Sequence, residues 1–384
     1  MTLVASFSVR GHPVLIGDIM VSQPADDRDY GPFHIPTHSD VNKFAPKLSG
    51  WVVSGLVQKV AVLSDRLVIA WAGSAISAQA LTNDLLGEER HDSFEHIERK
   101  LYEWGHETGF DLYVTGLYIP ERSAEVTQII QFGWDSETGL GSNHVEVNGY
   151  EDCYYGGTGG DAFLKTISAC RVKPGQGSSP FENALLLSLS HLGMLAGDQM
   201  LKGKGIQELF GGAFECATFL QGRLQKVSDI SYHLWHAQLN GSGKTTVGMH
   251  ATFKIGYFED YLLIRKLSYG GKEDRGLVVG DELYVIRPPY RTVGEKERTR
   301  LKASVVPPDL NSRFSVFYVH LPEERSGWDV YSVAHMAAEG TSAIKYKKDE
   351  AGLRLDIKTE VFEKIHAHIH SKLSDSDQRH RTET

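Results

Sequence analysis

The sequence predicts an α+β fold: two antiparallel sheets packed face to face as a four-layer αββα sandwich, followed by a smaller, mostly β region. Three observations carry that expectation. Over the first 235 or so residues, blocks of paired strand-like runs alternate with pairs of helical runs, not strand by strand with single helices. After about residue 236 strand-like runs and turn clusters follow until one last helix. The 384 residues are 41% hydrophobic and 23% charged, a globular composition with room for one large or two medium domains.

Each element has its own warrant. TLVASFSV (2–9) has high β propensity, RGH turns the chain, and PVLIGD (13–18) reads as a second strand. A polar insertion at about 22–56 carries Pro32, Pro36 and Pro46, His34 and His38, and the acids Asp26, Asp27 and Asp29. Loops of that length tend to be functional or mobile, and the three acids are read as a charged loop. VQKVAVLSDRLVIAWAG (57–73) is strand, turn, strand. SAISAQALTNDLLG (74–87) has helical spacing and a glycine stop; HDSFEHIERKLYEWGHETG (91–109) is a second helix with Asp92 or Ser93 as cap. FDLYVTGLYI and AEVTQIIQFGWD are two further strands. YEDCYYGGTGGDAFLKTISAC runs from strand through a glycine turn into a helix, and SPFENALLLSLSHLGMLAGDQML (179–201) is a long helix opened by Ser-Pro. GGAFECATFL and LQKVSDISYHLWHAQL supply more strands. KTEVFEKIHAHIHSKL is the last helix, before a polar tail expected to be disordered. The expected division is 1–235, 236–372 and 373–384.

Several functions are argued against. A net charge of −9 disfavours nucleic acid, whose phosphates need clustered Lys and Arg. No run approaches the roughly 20 apolar residues of a membrane span, and the N-terminus lacks signal-peptide features, so the expected location is cytoplasmic. Cys153, Cys170 and Cys216 are odd in number and widely spaced, which reads as free thiols. NGSGKTT (240–246) imitates a phosphate-binding loop, but Gln238 stands where its first glycine belongs and both flanks look like strands. His366 and His370 share a helical face without a third ligand, so no metal and no cofactor is expected.

Thr2 carries the chemistry. Residue 2 is small enough for Met1 to be removed, which would leave a free α-amine beside the hydroxyl. An α-amine has an unperturbed pKa of about 7.7–8.0, so it can take the hydroxyl's proton near neutral pH. Around Thr2 stand Gly17-Asp18, with Asp18 sixteen residues after Thr2; Lys59 in QKVAV; Ala72-Gly73-Ser74, with Gly73 fourteen after Lys59; and Gly157-Thr158-Gly159. In this order and spacing the first 235 residues resemble the proteasome β-subunit and HslV family of N-terminal nucleophile (Ntn) hydrolases.

The resemblance implies an Ntn hydrolase-like sandwich and a threonine-type peptidase or amidohydrolase working through an acyl-enzyme on Thr2. It implies that Lys59, held near Thr2 and paired with Asp18, supplies positive charge that lowers the pKa of the nucleophile, that the Gly73 N–H holds the oxyanion, and that Thr158 orients the amine. It implies a side-chain pocket of Val21, Val57, Ala61 and Trp71; the Trp71 ring makes it shallow or occluded. The family's serine before the Gly-Gly-Ala turn (211–213) is missing, leaving Asp198 or Glu208 as amine-orienting acids. The implied partners are a peptide or protein substrate and further copies of the chain in a ring; no residue argues for an ATP-dependent unfoldase. Two readings stay open beside it: a catalytically silent scaffold or regulator, and an acylase-type hydrolase of small-molecule amides.

Overall fold

The computed structural model describes residues 2–369 apart from 27–29, 44–49, 88–92, 109–110, 121–127, 148, 170–178, 204, 207, 240–244, 271–275, 322–329, 339–340, 351, 364 and 368. The chain is a mixed α+β protein. The first sheet has the order β10 (His144–Val147), β11 (Tyr150–Gly156), β1 (Val4–Val9), β2 (His12–Asp18), β12 (Phe214–Leu220) and β13 (Arg223–Lys226). β1 and β2 form a hairpin pairing Val9 with His12. Its turn puts both Arg10 and Gly11 in the left-handed region (φ 53° and 74°), which suits the strands' twist. Every residue of β1 is buried, because the strand is central and both its faces are covered.

The second sheet has the order β5 (Val60–Ser64), β6 (Leu67–Gly73), β7 (Leu112–Tyr118), β8 (Ile130–Asp135) and β9 (Gly139–Leu140). Val4, Leu15 and Ala217 of the first sheet meet Val60, Val68, Ala70 and Leu117 of the second in one cluster. A hydrogen bond of 2.6 Å between the Ser6 and Thr115 hydroxyls crosses the same space. The opposite face of the second sheet packs on α1 (Ala75–Leu86) and α2 (Phe94–Thr108) through Trp71, Ala78, Leu81, Leu101 and Val114. Ser74 caps α1 by accepting from Ser77 N at 3.3 Å. The opposite face of the first sheet packs on α3 (Gly160–Ala169) and α4 (Pro180–Lys202) through Phe7, Phe163 and Leu189. The Ser-Pro start of α4 forms a capping box with Glu182, and Gly203 closes the helix in the left-handed region.

The insertion after β2 contributes β3 (Met20–Pro24) and β4 (Trp51–Leu56), which pair with each other. Its residues Ile35 and Val41 are buried with Met20 and Val53. Asp26 is described, whereas Asp27 and Asp29 lie outside the described residues.

The third sheet has the order β17 (Val278–Ile286), β16 (Tyr261–Tyr269), β15 (Thr245–Phe258), β14 (Ile230–Leu239), β18 (Phe314–His320) and β19 (Val330–Met336). The division expected at 235/236 falls inside β14, which pairs only with third-sheet strands among the described residues. The expected boundary therefore shifts to the start of β14. The two regions also share a core, for the cluster around α4 runs from Phe7 to Val316 and Tyr318. Gly193 and Gly197 allow this approach: a Cβ there would stand 2.6 Å from Val316 and 2.5 Å from Tyr318 side-chain atoms. The rest is α5 (Glu295–Ser304), the hairpin β20 (Ile344–Asp349) and β21 (Gly352–Ile357), and a helical stretch at 359–363. β14 and β15 flank residues 240–244 as a hairpin pairing Leu239 with Thr245. His370 and the 373–384 tail lie outside the described residues. Among the described residues, no helix is long and apolar enough to cross a membrane.

Candidate active site

Thr2, Asp18 and Lys59 come together where the two facing sheets end. Thr2 leads into β1, and Asp18 ends β2 beside it. The Thr2 hydroxyl donates to Asp18 Oδ1, and Leu3 N donates to the same oxygen at 3.2 Å. Asp18 Oδ2 accepts from Gly211 N at 2.7 Å. Both residues are 0% exposed. Burial pushes the Asp18 carboxyl above its usual range, while the Lys59 charge and these three donors pull it back.

Lys59 enters from the second sheet, one residue before β5, and is 1% exposed. Gly17 makes room for it, since a Cβ on Gly17 would stand 2.9 Å from Lys59 Cβ. The Lys59 ammonium sits 3.9 Å from the centre of the Trp71 ring, a cation–π contact. Trp71 is held in turn by its indole N–H, which donates to the Gln58 carbonyl at 3.2 Å. Burial drags the Lys59 pKa down to about 8, against the opposing charges of Asp18 and Glu215. Among the described residues no ion pair within 4.0 Å joins Lys59 to Asp18; the coupling is through space, where a closed pair was expected. A lysine lowered to about 8 still carries its proton for the most part at neutral pH, so it keeps a positive charge beside Thr2.

Gly73 ends β6 two residues past Trp71, whose N–H bonds the Lys59 carbonyl at 3.2 Å. It therefore stands at the same end of the sheet as Lys59. Its φ is 113°, and a Cβ would lie 2.4 Å from the Asp111 carbonyl oxygen, so only glycine fits. Gly73 is an exposed residue at the end of the strand.

The glycine turn 156–160 wraps the Thr2 backbone. Gly159 N donates to Thr2 O at 3.0 Å, and a Cβ on Gly157 would stand 2.2 Å from that oxygen. Thr158 lies between them, with its hydroxyl donating to the Glu208 carbonyl. The structure thus spends the Thr158 proton on residue 208 and shows no Thr158–Thr2 side-chain bond among the described residues. The Glu208 side chain is exposed. Asp198 faces the third sheet, accepting from the Tyr318 hydroxyl at 2.7 Å and pairing with Lys202 at 3.4 Å. Among the described residues, neither acid is hydrogen-bonded to Thr2.

Among the pocket residues, Val57, Ala61 and Trp71 are buried in one cluster, with Val21 packed against it at partial exposure. Trp71 is 0% exposed, so its ring fills part of this wall.

Two further polar residues stabilise the site. Gln199 on α4 accepts from Gly212 N at 2.7 Å and from the Thr37 hydroxyl at 2.5 Å, and donates to Phe210 O at 2.7 Å. It fixes the Gly211–Gly212 turn whose N–H holds Asp18, and ties the insertion to the same point. Glu215, 1% exposed, accepts from Lys59 N at 3.0 Å and Val60 N at 3.3 Å, and pairs with Lys226 at 2.6 Å. It clamps β12 to the start of β5. A charged residue flanked by Phe214 and Cys216 in an apolar strand was the available signal for Glu215.

Two other nucleophile arrangements are set aside by their chemistry. Burial pushes the Cys153 thiol up to about 12, too high for a thiolate. Cys216 is also buried and raised, and Cys170 lies outside the described residues. A polar cleft of about 890 Å³ on the third sheet includes Ser312, whose hydroxyl is 2.9 Å from Lys254 Nζ. Lys254 also donates to Asp229 and, at 2.5 Å, to Asn311 O. All three of its N–H donors are engaged, so it is a charged structural pin without a lone pair to act as a base.

No protein-family model matches the chain, and no curated protein matches it.

Proposed function

We propose that the chain is a threonine-type amidohydrolase of the Ntn kind, acting on peptides or acyl amides from the end of a four-layer αββα sandwich. The observation that carries the reading is the convergence of the Thr2 hydroxyl, the Asp18 carboxylate and the buried Lys59 ammonium from two facing sheets. The layer order supports it: α1 and α2 lie outside one sheet, α3 and α4 outside the other. The proposal requires that Met1 be removed; Met1 lies outside the described residues.

The chemistry then runs in two halves. Thr2 Oγ attacks the carbonyl carbon while its proton, hydrogen-bonded to Asp18 in this structure, passes to the Thr2 α-amine. The Gly73 N–H stabilises the oxyanion, a contribution of about 2.7–4 kcal/mol for one such donor. The amine returns the proton to the leaving nitrogen, and the C–N bond breaks to leave an ester on Thr2. Water, deprotonated by the same amine, cleaves the ester and regenerates the hydroxyl. Lys59 contributes positive charge that lowers the cost of the alkoxide, and Asp18 holds the hydroxyl and the Lys59 charge in place.

One observation favours a second reading, a silent relative serving as scaffold or regulator. Thr2 is 0% exposed and Trp71 fills part of the adjoining wall. Turnover separates the two. Wild type and Thr2→Ala are compared against panels of peptides and acyl amides. The hydrolase reading expects loss of turnover by at least about a thousandfold in the variant, the scale of losing a nucleophile. Equal rates in both proteins would contradict it. Ring assembly and a cytoplasmic site of action remain part of the proposal, and light scattering of the purified chain tests the first.

A further inference from the structure

The segment after β17 reaches back to the candidate site. Gln58, the neighbour of Lys59, donates from its N–H to the Arg287 carbonyl at 3.0 Å. Its side-chain amide donates to Ile286 O at 2.7 Å and to Asp260 O at 2.8 Å. Five residues past Arg287, the Thr292 hydroxyl accepts from Gln79 on α1 at 3.0 Å. The segment is also stiffened from within. Pro288 and Pro289 are buried, Arg287 Nη1 donates to Arg291 O at 2.7 Å, and Arg291 pairs with Asp260 at 2.6 Å.

Tyr290 sits between these two anchors. It is partly buried against the apolar cluster that contains Val57, Ala61 and Trp71. Every other described member of that cluster lies between Val21 and Leu140; Tyr290 alone comes from the C-terminal region. Tyr290 therefore packs, from a segment anchored at Gln58 and Gln79, on the cluster that also holds Val57, Ala61 and Trp71.

We propose that Tyr290 is a specificity-determining residue of the Thr2 site: it closes the side-chain pocket and restricts the site to substrates with a small group next to the scissile carbonyl. The inference rests on the hydrolase reading above and names its substrate class, an amide of a small acyl group such as glycyl or alanyl. It also gives the C-terminal region a role, since its β17–α5 connection supplies a pocket wall the first two sheets lack.

The test uses two β-lactone probes, one with a methyl and one with a benzyl substituent at the pocket position. Labelling of Thr2 is followed by intact mass in wild type, Tyr290→Phe and Tyr290→Ala. Wild type and Tyr290→Phe should favour the methyl probe by about tenfold or more, the scale at which a pocket discriminates by size. Tyr290→Ala should bring the two rates near parity, and p-cresol, which refills the space, should restore the preference. Binding of p-cresol is measured independently by ligand-observed NMR; it should bind Tyr290→Ala and not wild type. The same size preference in all three proteins, or failure of p-cresol to bind Tyr290→Ala, overturns the proposal. No labelling of any protein, with p-cresol still bound by Tyr290→Ala, overturns the hydrolase reading and the specificity role with it, leaving the pocket as an inert contact.

Discussion

Replacing Lys59 by Met isolates the energetic cost of holding this cation in the site. Lys59 is 1% exposed, and burial takes its ammonium from the ordinary 10.5 to about 8. Between those two pH values the unfolded chain still holds a proton that the folded chain has released. Stability must therefore rise with pH across that window. The gap from 10.5 to about 8, at about 1.36 kcal/mol per pH unit, amounts to roughly 3 kcal/mol. Other buried groups, including Lys226, Lys254 and the interior tyrosines, titrate in both proteins and cancel in the difference. The assay is urea unfolding of wild type and Lys59→Met from about pH 7.5 to about 11, read as midpoint times a common slope. Wild-type stability minus variant stability should climb by roughly 3 kcal/mol between pH 8 and 10.5. A difference that stays flat means that Lys59 is an ordinary solvated lysine, and the reasoning about its proximity to Thr2 fails.

Two further outcomes follow from the residues that stabilise the site. Gln199→Leu leaves Gly212 N and the Thr37 hydroxyl without their acceptor. It should cost about 1–3 kcal/mol by thermal unfolding, and limited trypsin digestion should cut faster within 22–56. Glu215→Gln strands the Lys226 cation and should cost about 3–5 kcal/mol, whereas Glu215→Gln combined with Lys226→Met should recover most of it in urea unfolding.

The elements around Thr2 were legible because their signals are local. The turn at Arg10-Gly11, the Ser-Pro start of α4 and the glycine ends of strands each follow from a few adjacent residues. The approach of Asp18 to Thr2 follows from a hairpin whose length the spacing gives. What was not legible depends on partners far along the chain. Gln199 meets Thr37 across 162 residues, Gln58 meets Ile286 across 228, and no periodicity announces either. Glu215 shows in the sequence only as an odd charge in a strand, and its role appears when Lys59 and Lys226 surround it. The 235/236 division misplaced β14, because ISYHLWHAQL reads equally well as the last strand of one region or the first of the next. α5 escaped notice because EKERTRLKAS has no apolar stripe; Leu301 is its one buried residue. The packing of Tyr290 on the cluster that holds Val57 and Trp71 could be seen only once the C-terminal region was folded against it.

The account turns on a free α-amine at Thr2. Intact mass and N-terminal sequencing of the chain, purified with its own start and no added residues, measure this directly. The predicted result is a mature protein that begins at Thr2 with an unmodified amine. A population in which every chain retains Met1, or carries an acylated Thr2, would contradict the nucleophile assignment and leave Asp18 and Lys59 as a buried structural pair.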